Sequence, residues 1–572
     1  MPVPTLGCQI APDYDHHSSS DSDSTFTEGE DEQEQIEEQS QDAGELAIDK
    51  AETQHDEALR KPTRPDTLQK GRTRSGRKDE APRPPAGFWH WQMACLVCEA
   101  GVRLHVLKLW ARTNLLLAIA VMAVLSLFWG ALFKQEEHMH SLGIWVVDFD
   151  GQVAPYQNVE PFVGPFVTRG IQTLLDSPAP HPGYTFRPPS DFDNDPLKVR
   201  ESVWQFEAWA AVIVNPNATA LLQAAVLEGN SSYDPLGACQ IIYNSARDQT
   251  VASSYILPSM VTLQKIAVSS FGRAWIERLS QNTSFSNLDI TAAPQAISPG
   301  IEFTMYDLRP FAPPIATPAV SIGLIYLIIL SFFSFTFFLP IHMKYLSPKG
   351  HPPLHFHQLI VWRYVATVCS YFLLSLVYSL VSLAFLMPMS RRPASHLWPA
   401  QNPNAYFRGT FPVYWMVNFV GMTAFGLASE NVAMLLGTPW TAFWLIFWVI
   451  SNVATGFYQI SLAAGFYRWG YAWPMHNIVE LTRQILFDLH PRIGLNLGIL
   501  FAWVAIDTAL FPLCCYYMRW KTIREKKLTA QREAEWKAKM ESENERPSFL
   551  ARVTTLGEKS ARSKSRAPQP EA

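Results

Sequence analysis

One run of nineteen residues, LLLAIAVMAVLSLFWGALF at 115–133, carries no charge at all. At 1.5 Å rise per residue it crosses a hydrocarbon core of roughly 30 Å, and few soluble folds have a place for such a segment. Further apolar runs follow at 319–341, 364–387, 411–436, 441–458 and 494–517. The fold class expected is therefore a polytopic α-helical membrane protein of about six transmembrane helices. The fourth of the six is interrupted by Glu430 and Asn431, and SLAAGFYRWGYAW at 461–473 reads as a re-entrant or interfacial piece. The first run lies more than a hundred residues into the chain, which predicts a signal anchor rather than a cleaved leader.

Composition divides the rest. Residues 13–57 hold seventeen Asp or Glu against one Lys, and residues 1–86 include only Tyr14 and Phe26 as aromatics. Such a segment buries too little apolar area to offset its ordering entropy, so 1–86 is expected to be a disordered cytoplasmic tail. Between Arg60 and Lys78 the sign reverses, with eight basic residues against Asp66. That block suits either anionic lipid or a solvated linker; no nucleic-acid partner is expected. Residues 87–114, with Trp89, Trp91, Trp110, Arg103, Lys108 and Arg112, form a juxtamembrane segment leading into the first transmembrane helix at 115–133.

A polar region at 134–316 separates the first two spans, and a five-helix transmembrane region is expected at 317–517. GIWVVDFDG at 143–151, EAWAAVIVN at 207–215 and CQIIYN at 239–244 read as strands alternating with helical stretches, which predicts an α/β domain. Cys239 is its only cysteine, so no internal disulfide is available to it. From 518 to 572 the chain is a charged tail beginning with strong helix formers, with Glu533–Lys537 and Glu535–Lys539 spaced i,i+4.

The three N-glycosylation sequons, Asn217, Asn230 and Asn282, all fall in the 134–316 loop. Their confinement favours an extracytoplasmic loop. The basic residues before the first span and the cluster Arg519, Lys521, Arg524, Lys526 and Lys527 after the last favour cytoplasmic termini. Arg391, Arg392 and Arg408 against Lys344, Lys349 and Arg363 give no preference.

Ionisable groups inside spans are costly and mark function by default. Here they are Glu430 and Asp507, with Asn418, Asn431 and Asn452 as uncharged polar companions. They either relay protons or bind a cationic compound, or else Glu430 simply ends its helix while Asp507 is hydrogen-bonded between helices. Glu480 and Arg483 have the spacing of a same-face helical ion pair. Asp148 and Asp150 invite an acid–base or metal reading, but no His, Glu or nucleophile stands at a spacing that completes a site. No catalytic, metal or cofactor-binding residue is assigned, and the chain is not expected to be an enzyme.

The order of these pieces resembles the fungal nitrosoguanidine-resistance membrane proteins. The resemblance rests on GIWVVDFDG after the first span, DLRPFAPPIATPAVSIGLIYLIIL entering the second, and GYAWPMHNIVELTRQILFD before GLNLGILFAWVAI, and covers roughly residues 110–520. The layout is distantly similar to the membrane subunits of type-2 ABC exporters. The resemblance implies a plasma-membrane protein linked to resistance to a small-molecule toxicant, by export or by altered bilayer permeability. Half-transporter layouts of this kind commonly work as a homodimer. The chain has no G-x-x-x-x-G-K-[ST] phosphate loop, so it is not itself a P-loop pump. The competing expectation is a non-transporting scaffold or regulator of other membrane proteins or lipids.

Overall fold

The computed structural model describes residues 96–281, 291–344, 355–437 and 440–545. The acidic tail, the basic block and Asn282 lie outside the described residues.

Helix α1, Leu96–Leu132, is longer than the apolar run that announces it, because the juxtamembrane segment continues the same helix without a break. It is mostly exposed, with Met122 and Trp129 facing outward. Near its end it meets the rest of the fold. The Tyr467 hydroxyl donates to the Leu127 carbonyl at 2.8 Å, and it fills the space that a Cβ on Gly130 would need.

The region after α1 folds as a five-stranded sheet with flanking helices. In chain order these are β1 Gly143–Asp148, α2 Val163–Leu175, β2 Gly183–Arg187, α3 Pro196–Trp204, β3 Ala210–Val214, α4 Ala218–Glu228, β4 Cys239–Tyr243, α5 Leu257–Gln281 and β5 Phe303–Asp307. Strand order is β2-β1-β3-β4-β5, parallel except where β3 and β4 run antiparallel. The three strands legible in the sequence are the most apolar. The central one, AAVIV, is buried at every position, as expected when both faces are covered. Strands β2 (GYTFR) and β5 (FTMYD) lie at the two edges, where half-exposed positions give no apolar run to read. One face packs against α2, α4 and α5 through Val146, Val167, Leu222 and Phe271, and the other against α3 through Val147, Ile213, Val199 and Val203.

The remaining longer helices are α6 Ile325–Lys344, α7 Phe356–Ala384, α8 Thr410–Leu436, α9 Thr441–Gly456, α10 Pro474–Phe487 and α11 Ile493–Glu545. Among the described residues five helices, α1, α6, α7, α8 and α11, are long and apolar enough to cross a membrane, whereas α9 has only 16 residues. The chain is thus a polytopic membrane protein. Helix α8 is the axis of the bundle, with every residue from Gly421 to Asn431 buried. Small residues allow this. The Tyr371 ring lies where a Cβ on Gly426 would stand, and Ile478 does the same at Gly421. After α9 the chain makes short 3₁₀ turns at Ile460–Leu462 and Gly465–Ala472 against the end of α1, then returns as the almost wholly buried α10.

Buried arginines fasten the sheet domain to the bundle. Arg309, just past β5, is fully buried and donates to the carbonyls of Leu308 (2.8 Å), Ala394 (3.2 Å), Ser395 (3.3 Å) and Asp488 (3.3 Å) and to the Asp488 carboxylate (3.4 Å). Arg483 on α10 donates to the Arg247 carbonyl (3.0 Å) and pairs with Asp248 (3.2 Å). This corrects the expected Glu480–Arg483 pair: the shared helix face is real, but the buried guanidinium finds a carboxylate across the junction. Arg247 lies over the Trp209 and Phe206 rings, and burial pulls its guanidinium down to about 10.

Candidate functional site

The bundle holds a polar cluster about two turns inside its end remote from the sheet domain. Glu430 lies six residues before the end of α8 and Arg363 seven residues after the start of α7, about 9–10 Å of rise in each case. Arg363 Nε and Nη2 both donate to Glu430 Oε1, at 2.9 and 2.6 Å. Both side chains are nearly completely buried, at 4% and 3% exposure. The guanidinium also meets Met434 Sδ at 3.2 Å and lies 5.5 Å from the Phe335 and Phe511 ring centroids. Cys515 adds a second sulfur, 3.5 Å from Met434 Sδ.

One residue further along α8, Asn431 Nδ2 donates to the Asp507 carbonyl at 2.9 Å and to its Oδ1 at 3.3 Å. Asp507 is about 21 Å along α11 from its start. It makes no ion pair among the described residues, and its Oδ2 has no hydrogen-bond partner. The two carboxylates therefore differ: Glu430 is neutralised by a guanidinium, and Asp507 is held only by an amide.

The other two asparagines belong elsewhere. Asn418 donates to Ser379 Oγ at 3.0 Å, twelve residues and about 18 Å from Glu430 along α8. Asn452 donates to the Trp448 carbonyl at 2.8 Å and accepts the Met475 N–H at 3.1 Å, capping the first turn of α10. These are packing roles. Glu430 neither ends its helix nor stands alone, since the group that pairs with it is Arg363, counted from sequence as a loop cation just before a span at 364. The missed signal was the i,i+4 row Arg363, Thr367, Tyr371, Ser375 and Ser379, all buried on one face of α7.

In the sheet domain the DFDG turn is structural. Asp150, 1% exposed, accepts N–H bonds from Gly164 (3.1 Å) and Thr219 (2.9 Å) and an O–H bond from Thr219 (2.5 Å). One carboxylate thereby serves the first turns of α2 and α4, where helix dipoles favour negative charge. Asp148 accepts the Asp150 N–H at 2.9 Å and lies directly against Gly164. Burial pushes the Asp148 carboxyl up to about 6. No group of three His, Cys, Asp or Glu side chains placed to hold a metal ion occurs among the described residues. Asn217 begins α4 partly exposed while its sequon partner Thr219 is buried; Asn230 is exposed.

A chain with this span layout, a sheet domain inserted after the first helix and a charged cluster inside the bundle is a multi-pass membrane protein. It belongs to the family described as "Protein of unknown function (DUF3533)", whose pattern matches residues 113–509. That match takes in the sheet domain and both intramembrane carboxylates. The chain is similar to an uncharacterised endoplasmic reticulum membrane protein of Saccharomyces cerevisiae, with 29% identity over 453 residues, 76% of this chain and 84% of the relative. No solved structure matches it.

Proposed function

We propose that this protein is transporter-like and lowers exposure of the cell interior to small toxic compounds, with Asp507 as the group that carries a proton through the bundle. The observation behind this reading is the asymmetry of the two buried carboxylates. Each has one oxygen without a hydrogen-bond partner, but among the described residues Asp507 also lacks a cation, and a carboxylate deep in a bundle without one is expensive to keep and of little structural use. The Arg363–Glu430 pair two turns from the helix ends acts as a latch between α7 and α8. In the topology that goes with this reading, α9 completes six crossings, the sheet domain faces the secretory lumen or exterior, and both termini are cytosolic. The resemblance favours the plasma membrane and the yeast relative's name the endoplasmic reticulum; a fluorescent fusion at native expression distinguishes them.

The test is flux in sealed proteoliposomes under an imposed pH gradient, with a panel of small fluorescent toxicants. Gradient-dependent movement abolished by Asp507→Asn supports the reading, and no movement under any gradient refutes it. The second reading, a non-transporting scaffold, is favoured by the exposed stretch of α11 from Ile523 to Lys539, which carries Trp536 into solvent. A stable co-purifying partner lost on truncation after Met518, without flux, would select it.

A further inference from the structure

The sheet domain contains a cavity of about 350 Å³, within the range of small-molecule sites. Glu136 and Met139, four and seven residues past Leu132 where α1 ends, line it. Its walls include Leu174, Tyr184, Tyr255 and Pro258. If α1 spans the bilayer, the cavity lies at the level of the membrane interface, where Trp129 and Phe133 are also exposed.

The polar lining includes the hydroxyls of Ser177, Tyr184, Ser254, Ser259 and Thr262, which can both donate and accept. Glu136 is the one carboxylate, and no Lys or Arg lines the space. The neighbouring Glu137 is paired with Lys134 at 2.7 Å, and Glu136 forms no ion pair among the described residues. His181 Nδ1 donates to the Pro182 carbonyl at 2.8 Å. The Tyr255 hydroxyl is spent as a donor on Gln135 Oε1 at 3.0 Å and keeps lone pairs for a ligand. Tyr255 stands in a π-helical turn, Ala252–Ile256, between the helical turn Gln249–Val251 and α5; such turns recur at functional sites.

Apolar and aromatic walls with a single carboxylate, and neither Lys nor Arg among the described lining residues, suit an apolar body with a positively charged head. We infer that this cavity binds small amphipathic organic cations taken from the membrane interface. The inference deepens the proposed function by naming a compound class, and its test does not depend on flux.

The test uses the full chain in phosphatidylcholine nanodiscs and a photoreactive dodecyltrimethylammonium, with labelled peptides mapped by mass spectrometry. Saturable labelling at 134–142, 174–184 and 254–262 is expected, competed by dodecyltrimethylammonium and not by dodecyl sulfate. Glu136→Gln removes an exposed charge with no ion-pair partner and should raise the half-saturating concentration roughly three- to fivefold. Ser259→Trp, which fills the space, should abolish saturable labelling while the thermal transition stays as in the wild type. Non-saturable labelling, labelling confined to lipid-facing helices, or equal competition by dodecyl sulfate would overturn the inference. Saturable labelling without flux removes the transport reading alone, and flux without saturable labelling removes this inference alone.

Discussion

Replacing Arg363 and Glu430 singly and together tests whether the bundle depends on their pairing. The guanidinium places two donors on one carboxylate oxygen, at 2.9 and 2.6 Å, with both side chains at most 4% exposed. Arg363→Met leaves Glu430 as a buried charge without its partner, and Glu430→Leu does the same to Arg363. Breaking such a pair costs about 3–5 kcal/mol, whereas replacing both groups by apolar ones is close to neutral. At roughly 2–4 °C per kcal/mol for a bundle of this size, each single variant should lose roughly 6–20 °C of apparent melting temperature, and the double variant most of neither. The assay is thermal unfolding in nanodiscs followed by fluorescence-detected size exclusion. The diagnostic quantity is the coupling energy of the cycle, expected at about 3 kcal/mol or more with the sign of mutual rescue. Additive losses, or a Glu430→Leu variant as stable as the wild type, would show that the pair is not a coupled unit and remove the latch from the proposed mechanism.

Other perturbations probe the sheet domain, its junction and the packing of α8. The Asp148 carboxyl is raised from 3.8 to about 6, so its ionisation opposes folding: its own contribution to stability is greatest below pH 4 and is lost as pH rises to 6. Asp148→Asn should therefore raise stability by at most ~3 kcal/mol above pH 6 and leave it unchanged near pH 4; a gain independent of pH would contradict this. Asn230→Gln should increase gel mobility by one glycan step that glycosidase treatment erases, and an unchanged band for both Asn217→Gln and Asn230→Gln would argue against a lumenal sheet domain. Arg309→Lys keeps the charge but cannot reproduce the fork over five carbonyls, those of Leu308, Ala394, Ser395, Trp398 and Asp488, and should loosen the junction enough to raise amide exchange at 394–398; wild-type protection there would refute the fastening role. Gly426→Val should cost about 1–3 kcal/mol by driving Tyr371 out of its place, and Tyr371→Ala should relieve part of that loss in the double variant.

What the sequence determined alone was whatever depends on a local property of the chain. Uncharged runs long enough to cross a bilayer announced the long helices, and the apolar strands β1, β3 and β4 could be read because their residues are buried on both faces or nearly so. Glu430 and Asp507 stood out because a carboxylate in an apolar run is conspicuous wherever it lands. The tertiary structure decided what each polar group is for. Edge strands β2 and β5 carry no continuous apolar pattern, since one side of each has no neighbour to demand it. Asn452 caps a helix, Asn418 binds a serine, Arg483 pairs across the junction and Arg363 belongs to the core, none of which follows from spacing along one segment. A buried polar group is defined by its partner, and here the partners are 67 residues away for Glu430, 76 for Asp507 and 235 for Arg483. Helical periodicity fixes which face a side chain shares within its own helix, but which helix comes to meet that face is decided by the packing of the whole bundle.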